Sequence, residues 1–328
     1  MSSATMTAAQ YETTGSRAGQ IELVELPRPV PGAGEVLVRV RFYGVNPTDV
    51  GSQAGRTFNP PYERVVPGQD GAGEIVEVGA GVPPARVGER VWLYLCQWQR
   101  PQGAAAQWIA LPAEQAVALP PSATLELGAG LGIPALTAHR CLHAAGPIDG
   151  TQVLIAGGAG AVGHAAIELA RFGGARVAST VSSAEKGAIA SAAGAEMVVD
   201  YKSEDAAAWL SEWAPKGVER IVEVAIAANI SLDAAVIAPG REIASYGAPD
   251  GPLEATRALM VKNVNVRFVL VYTMGEQARR DAVAGVSDAL REGALSELPP
   301  LRFPLERVQE AHDAVREHAV AKVLVEIP

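Results

Sequence analysis

Three glycines, Gly158, Gly160 and Gly163, lie between an apolar run, QVLIA, and a stretch whose apolar residues Val162, Ala166, Leu169 and Ala170 are spaced for one helical face. A G-x-G-x-x-G turn between a strand and a helix suits a pyrophosphate. The turn must be tight, the backbone must approach the ligand closely, and the first N–H groups of the helix receive the phosphate oxygens. The spacing predicts a dinucleotide-binding Rossmann turn; alone, such a turn also reads as a plain connection between two elements. About 20 residues past the first glycine, an NAD-preferring site carries an acid on the ribose 2′-hydroxyl. Here that place holds Ser179, Thr180, Ser182 and Ser183, with Lys186 nearby. Hydroxyls and an ammonium accommodate a 2′-phosphate that a carboxylate would repel, which favours NADPH over NADH. Ser182-x-x-Glu185 also reads as a capping box, and Lys186 and Tyr201 as ordinary surface residues.

The elements that must position this turn follow from the rest of the chain. From about Gln20 to Gln115, short β-like runs (IELVEL, EVLVRVRFYGV, GAGEIVEVG, ERVWLYL) are separated by Gly- and Pro-containing turns, the texture of a compact β-barrel or sandwich. After Leu127, helical stretches alternate with VLIA, RVAST, MVVD, RIVEVA and REIASYG, which predicts βαβ units and a parallel sheet. The tail reads as a helix (AVAGVSDALREGAL), a turn at PPLRFPLE, a second helix (RVQEAHDAVREHA) and a terminal strand (KVLVEI) that returns to the first domain. The 328 residues suit two domains. A net charge of −9 without a basic stripe argues against nucleic acid and anionic lipid as partners. With two cysteines, Cys96 and Cys141, neither a disulfide framework nor a four-cysteine zinc lobe is expected. The start has no signal-peptide pattern, and no run of about 18 uncharged apolar residues occurs, so a cytoplasmic protein without a membrane span is expected.

Taken in order, GVNPTDV (44–50), PGQDGAGEIVEVGAGV (67–82), VGERV (87–91), GIPALTAHRCL (132–142), AGGAGAVGHAAIELAR (156–171), GAEMVVDY (194–201) and FPLERVQEAHDAV (303–315) resemble the medium-chain dehydrogenase/reductase superfamily. Within it they are most similar to the zinc-independent, zeta-crystallin-like quinone oxidoreductases. The resemblance implies an α/β protein with a GroES-like β-barrel catalytic domain (1–124 and 264–328), a Rossmann doubly wound parallel-sheet domain (125–263), a cleft between them and a homodimer. Zinc alcohol dehydrogenases of the superfamily carry cysteine and histidine ligands where this chain has Asn46 and Gln69, and neither supplies a thiolate or imidazole. His139 and His143, four apart around Cys141, have the spacing of a metal pair, but Arg140 follows His139 where a metalloprotease helix carries its glutamate. No metal is expected.

By the same resemblance Asn46 and Asp49 lie on the substrate side with Gln69 in the former metal pocket, although Asn46-Pro47 also suits a turn and Asp49 a helix cap. Gly158, Ala159, Gly160, Ala161, Val162 and Gly163 are placed at the pyrophosphate, and Ser182, Lys186 and Tyr201 at the 2′-phosphate. Asn229, Tyr246, Gly247 and Ala248 follow the fourth and fifth strands. Phe268, Val269 and Leu270 lie beside the nicotinamide, and Lys322 matches a further cofactor contact. Gly51 departs from a family tyrosine, leaving a wider pocket or an aromatic wall from Phe58, Tyr62, Trp92 or Trp98. The expected activity is metal-free, NADPH-dependent reduction of a quinone. An enone or enoyl double-bond reductase and a catalytically silent NADPH-binding protein remain open.

Overall fold

The computed structural model describes residues 5–57, 61–202 and 205–328. Alternation of buried and exposed residues makes the first part of the chain β-rich. It holds β1 (Thr5–Glu12), β2 (Glu22–Pro27), β3 (Glu35–Gly44), a short helix α1 (Pro47–Gln53), β4 (Arg64–Val65), β5 (Asp70–Val78), β6 (Arg90–Leu93), β7 (Trp108–Pro112), β8 (Ala116–Ala118) and the helices α2 (Leu125–Ala129) and α3 (Gly132–His143). Six strands then alternate with helices. These are β9 (Gln152–Ala156), α4 (Ala161–Phe172), β10 (Arg176–Val181), α5 (Ala184–Ala192), β11 (Met197–Asp200), α6 (Ala206–Trp213), β12 (Val218–Glu223), α7 (Ile226–Val236), β13 (Ile237–Ser245), α8 (Thr256–Val261) and β14 (Asn265–Phe268), followed by α9 (Glu276–Arg291). The chain ends in β15 (Pro300–Pro304), α10 (Val308–Arg316) and β16 (Lys322–Glu326).

Two compact units result. One comprises Met1–Ile133 and Pro299–Pro328, the other Pro134–Leu298. The first unit contains a three-stranded sheet ordered β2-β1-β4 and a seven-stranded sheet ordered β15-β16-β3-β5-β6-β8, with β7 also on β3. Its core joins Val36, Val38 and Val40 of β3 to Ile75, Val91, Ile109 and Val325. The terminal strand β16 pairs antiparallel with β3, setting Leu324 opposite Gly44. The expected turn at PPLRFPLE is instead the strand β15, parallel to β16. A proline at each end, Pro300 and Pro304, is tolerated because the strand lies at the sheet edge, where an N–H facing away from the ladder is not needed.

The second unit is an all-parallel sheet ordered β11-β10-β9-β12-β13-β14. Counted from β9, this is the doubly wound order 3-2-1-4-5-6, whose switch point falls between β9 and β12. The units divide at 133/134 and 298/299, whereas the sequence placed the divisions at 124/125 and 263/264. The difference at the second division is α9: Gly285 of α9 faces the His139 ring of α3 so closely that a Cβ there would lie 2.3 Å from Nε2, so the helix packs within the second unit. Among the described residues no helix is long and apolar enough to cross a membrane.

Candidate active site

In the first unit, Asn46 ends the extended segment after β3 and starts α1, and Asp49 sits one turn into that helix. The Asp49 carboxylate accepts hydrogen bonds from the Asn46 backbone N–H at 2.8 Å and from the Gln69 N–H at 3.1 Å. Asp49 therefore caps α1 and also ties it to the start of β5. Asn46 Nδ2 donates to Asp70 Oδ2 at 2.7 Å and to the Gly44 carbonyl at 3.2 Å, and Lys322 Nζ donates to Asn46 Oδ1 and to the Val45 carbonyl, both at 3.3 Å. The other oxygen of Asp70 accepts from the Ile133 N–H at 2.8 Å. Asn46, Asp49, Gln69, Asp70 and Lys322 are all buried. The structure thus brings together the three sequence-predicted residues of this region and adds Asp70 and Lys322 as direct partners.

Burial dominates the electrostatics. Desolvation and the nearby Asp70 charge push the Asp49 carboxyl up to about 7, against the pull of its two backbone donors and Lys322. Asp70 is pushed up to about 6 by burial, with Lys322, Asn46 and the Ile133 N–H acting to lower it. Burial lowers Lys322, and the two carboxylates oppose that shift. One ammonium facing two carboxyls is neutral only when one carboxyl keeps its proton. A proton is therefore available near neutral pH in a site otherwise rich in hydrogen-bond donors.

Gln69 Nε2 donates to Gln97 Oε1 at 2.9 Å, while its Oε1 is buried without a partner. Gln97 lies between Leu95 and Gln99, both held at positive φ although neither is glycine, a local strain of the kind that accumulates at functional loops. At Gly51 a Cβ would stand 2.0 Å from the Thr57 hydroxyl oxygen. The position has no room for a tyrosine, so the departure from the family pattern is built into the packing. Of the proposed aromatic substitutes, Trp92 is fully buried against Tyr94, the Tyr62 hydroxyl donates to the Gln99 carbonyl, Trp98 is half-buried, and Phe58 lies outside the described residues.

In the second unit the glycine turn follows β9 at the switch point. Gly157 adopts φ of 71°, a conformation that favours glycine. A Cβ on Gly158 would lie 2.2 Å from Ser179 Oγ, and one on Gly163 would lie 2.3 Å from the Gly157 carbonyl oxygen. Gly160 differs, since a Cβ there would meet only the Gly157 oxygen at 3.4 Å. Gly158 and Gly163 are thus required by packing, whereas the space beside Gly160 is open to a ligand. Gly160 caps α4 without a side-chain acceptor, so the N–H groups of Ala161, Val162 and Gly163 have no intrahelical partner and face the region where a pyrophosphate would sit.

The other expected cofactor residues collect along the carboxyl ends of the same strands. Lys186 Nζ donates to Ser182 Oγ at 3.0 Å, just beyond β10, and half-exposed Tyr201 follows β11. The N-cap of α5 is Ser183, accepting from the Lys186 N–H, rather than the expected Ser182; the cap falls one residue later because β10 continues through Val181, and Ser182 is left to hold the lysine. Tyr246, Gly247 and Ala248 follow β13, and Phe268 closes β14 before Val269 and Leu270. Asn229 is already engaged, donating to Glu223 Oε1 at 3.0 Å. Lys322 belongs to the Asn46 cluster of the first unit.

Sequence reading missed a carboxyl pair beneath these ends. Glu223 and Asp233 are buried, each with one unpartnered oxygen. Desolvation raises both pKa values, and the Glu223 charge raises Asp233 further. An acid with a raised native pKa destabilises the fold as pH rises through that value. Asp233→Asn is therefore expected to raise the melting temperature by a few degrees at pH 8 and much less at pH 5; an equal change at both would remove the electrostatic explanation.

His139 and His143 stack at 4.4 Å between ring centroids, and burial followed by the neighbouring ring depresses His139 to about 4. Among the described residues no group of three or more His, Cys, Asp or Glu side chains is placed to hold a metal.

Residues 32–121 match the family described as the alcohol dehydrogenase GroES-like domain, and residues 161–288 match that described as zinc-binding dehydrogenase. The chain belongs to the medium-chain dehydrogenase/reductase superfamily. Its members are oxidoreductases, and this one groups with quinone oxidoreductases. The quinone oxidoreductase of Pongo abelii is 29% identical over 88% of this chain and 87% of its own length. The chloroplastic quinone-oxidoreductase QR1 of Triphysaria versicolor is 29% identical over 98% of both chains. A mycobacterial protein solved in complex with NADPH superposes with a TM-score of 0.83 and 28% identity, covering 98% of this medium-chain dehydrogenase/reductase and 100% of that chain.

Proposed function

We propose that this medium-chain dehydrogenase/reductase reduces quinones with NADPH and without zinc. The observation that carries the reading is the amide pair at the candidate metal position. Asn46 is saturated by Asp70, Gly44 and Lys322, and Gln69 is held by Gln97. This donor set does not fit zinc, which takes thiolate, imidazole or carboxylate ligands, and the Lys322 ammonium already supplies the positive charge at Asn46. The acceptor must then be intrinsically electron-poor, which a quinone is. The relatives named as quinone oxidoreductases support the same class.

NADPH fits the second unit: the open space at Gly160 and the uncapped start of α4 suit a pyrophosphate, and Ser182 with Lys186 suits a 2′-phosphate. When bound, NADPH supplies a hydride. The chain's own contribution is to bind and orient it through these backbone and side-chain donors, and to polarise the acceptor through fixed donors instead of a Lewis acid. The same reading makes the protein a cytoplasmic homodimer. Both cysteines are free and buried, as suits a reducing compartment, and edge strand β14 with exposed Met260, Val261 and Phe268 offers an apolar face for a second copy.

The deciding experiment is NADPH oxidation with 9,10-phenanthrenequinone and 1,2-naphthoquinone after exhaustive chelation. Turnover is expected to survive. Stoichiometric zinc by elemental analysis, or turnover of enones with none of quinones, would overturn the reading, and tight NADPH binding without turnover of any acceptor would mark a silent binding protein. Lys186→Ala is expected to raise the NADPH dissociation constant by roughly tenfold, the worth of one charge-assisted contact, with NADH binding nearly unchanged. Equal loss for both cofactors would remove Lys186 from the 2′-phosphate.

A further inference from the structure

Among the side chains of Asn46, Asp49 and Gln69, one buried polar atom has no partner, Gln69 Oε1. Every other polar atom of that residue is engaged. Its backbone N–H donates to Asp49 Oδ1 at 3.1 Å, its carbonyl accepts from the Cys96 N–H at 2.9 Å, and its Nε2 donates to Gln97 Oε1 at 2.9 Å. The Arg100 carbonyl decides which end of the amide is left over. Gln97 Nε2 donates to it at 3.2 Å. A carbonyl only accepts, so that end of Gln97 is the nitrogen and its other end, Oε1, can only accept. The Gln69 atom facing Gln97 must then be nitrogen, and the atom left over is an oxygen. Turning either amide over would set oxygen against oxygen.

The backbone on both sides is clamped. Gly68 holds φ at 115°, and a Cβ on it would stand 2.9 Å from the Ala104 nitrogen. The N–H groups of Ala104 and Ala105 donate to the Gly68 and Pro67 carbonyls, both at 3.0 Å. Opposite them, Gln97 is itself buried, between the positive-φ residues Leu95 and Gln99. A buried acceptor without a hydrogen bond costs the free energy of its desolvation. Strain and an unsatisfied acceptor held together beside Asp49 mark a place where a ligand supplies the missing donor.

An unsubstituted quinone has no hydrogen to give. Its polar atoms are carbonyl oxygens, and one placed against Gln69 Oε1 would set lone pair against lone pair. A hydroxyl substituent supplies the hydrogen. We propose that Gln69 Oε1 selects electron acceptors that carry a hydroxyl group, hydroxyquinones in the reductase reading, by accepting the hydrogen of that hydroxyl. Gln69 is the specificity-determining residue, and Gln97 is a positioning residue that keeps the Gln69 oxygen free for the ligand. A site built to hydrogen-bond a substrate hydroxyl rejects the analogue without it, because the buried acceptor is then left unpaired. The class of acceptor rests on the proposed reductase activity, but the preference for a hydroxyl is a property of binding and is read without turnover.

Two pairs of probes test it: 6-hydroxy- and 6-methoxy-1,4-naphthoquinone, and 2-(hydroxymethyl)- and 2-(methoxymethyl)-1,4-naphthoquinone. Within each pair the ring is the same and the hydrogen-bond donor differs. Isothermal titration into the protein without NADPH is expected to show at least one hydroxyl compound binding roughly tenfold more tightly than its ether, the worth of one buried hydrogen bond. Gln69→Met removes the acceptor at similar side-chain length, and Gln97→Met frees the Gln69 amide to turn its nitrogen to the ligand. Each is expected to bring the ratio close to one. A merely structural disturbance would weaken both members of a pair alike and leave the ratio standing, as would a preference set by the bulk of the ether methyl. Equal binding within both pairs in wild-type protein, or no binding of either hydroxyl compound, would overturn the proposal even if both variants failed to fold. So would a ratio left intact in folded Gln69→Met. A preference that depends on Gln69, with no NADPH oxidation by any of the four quinones, would uphold the selection and refute only the reductase reading.

Discussion

Gly160→Ala is expected to raise the NADPH dissociation constant at least tenfold while moving the melting temperature by less than about 2 °C, and Gly163→Ala to do nearly the reverse. The asymmetry follows from what each new methyl group would meet. At Gly163 it would lie 2.3 Å from the Gly157 carbonyl oxygen, backbone against backbone, so helix and turn must separate. Overpacking of this kind costs about 1 to 3 kcal/mol. At Gly160 the nearest atom is 3.4 Å away, an ordinary contact, so the apo fold accommodates alanine. The methyl then occupies the side from which a pyrophosphate would reach the N–H groups of Ala161 and Val162, and a lost phosphate contact of about 1.4 kcal/mol is a factor of ten in affinity. Nicotinamide fluorescence titration and thermal melts separate the two effects. Loss of stability without loss of affinity in Gly160→Ala would make this glycine a packing residue like its neighbours.

The same glycines mark how far the sequence could be read. G-x-G-x-x-G was legible because its spacing reflects backbone geometry, which is local, and the alternation of strands and helices carried the parallel sheet with it. Asn46 and Gln69 were legible only as departures from the zinc-ligand pattern, and Asp49 only through the family resemblance. Their partners were less so, because they arrive from distant parts of the chain: Asp70 from β5 and Lys322 from β16. His312 had one local signal, a polar residue beside Val308 and Ala311 on the buried face of α10. Nothing local ties it to Tyr43, its hydrogen-bond partner 269 positions away. PPLRFPLE read as a turn because its three prolines outweigh the strand-compatible residues between them, and only pairing with β16 reverses that balance. The Glu223 and Asp233 pair was invisible because burial raises their pKa values, and burial is a property of the fold.

Lys322→Met is expected to have the largest effect on stability, and that effect should depend on pH. The ammonium is the cation shared by Asp49 and Asp70, it is buried, and it donates to Asn46 and to the Val45 carbonyl. Removing one partner of a buried ionic group costs about 3 to 5 kcal/mol, because the other charge is left uncompensated. Both carboxyls already sit above their ordinary values, at about 7 and about 6, and loss of the cation that lowers them moves both higher still. An acid whose native pKa exceeds its unfolded value favours the folded state at low pH, and that benefit is lost as pH rises through the native value. The variant should therefore approach wild-type stability near pH 5, where both carboxyls are protonated, and fall furthest below it near pH 8, where wild-type Asp70 is ionised against Lys322. Urea unfolding at the two pH values reads the difference directly. A deficit of the same size at both would mean that the lysine stem packs the site and its charge does not govern it, and Asp49 would then lack an electrostatic reason to keep its proton.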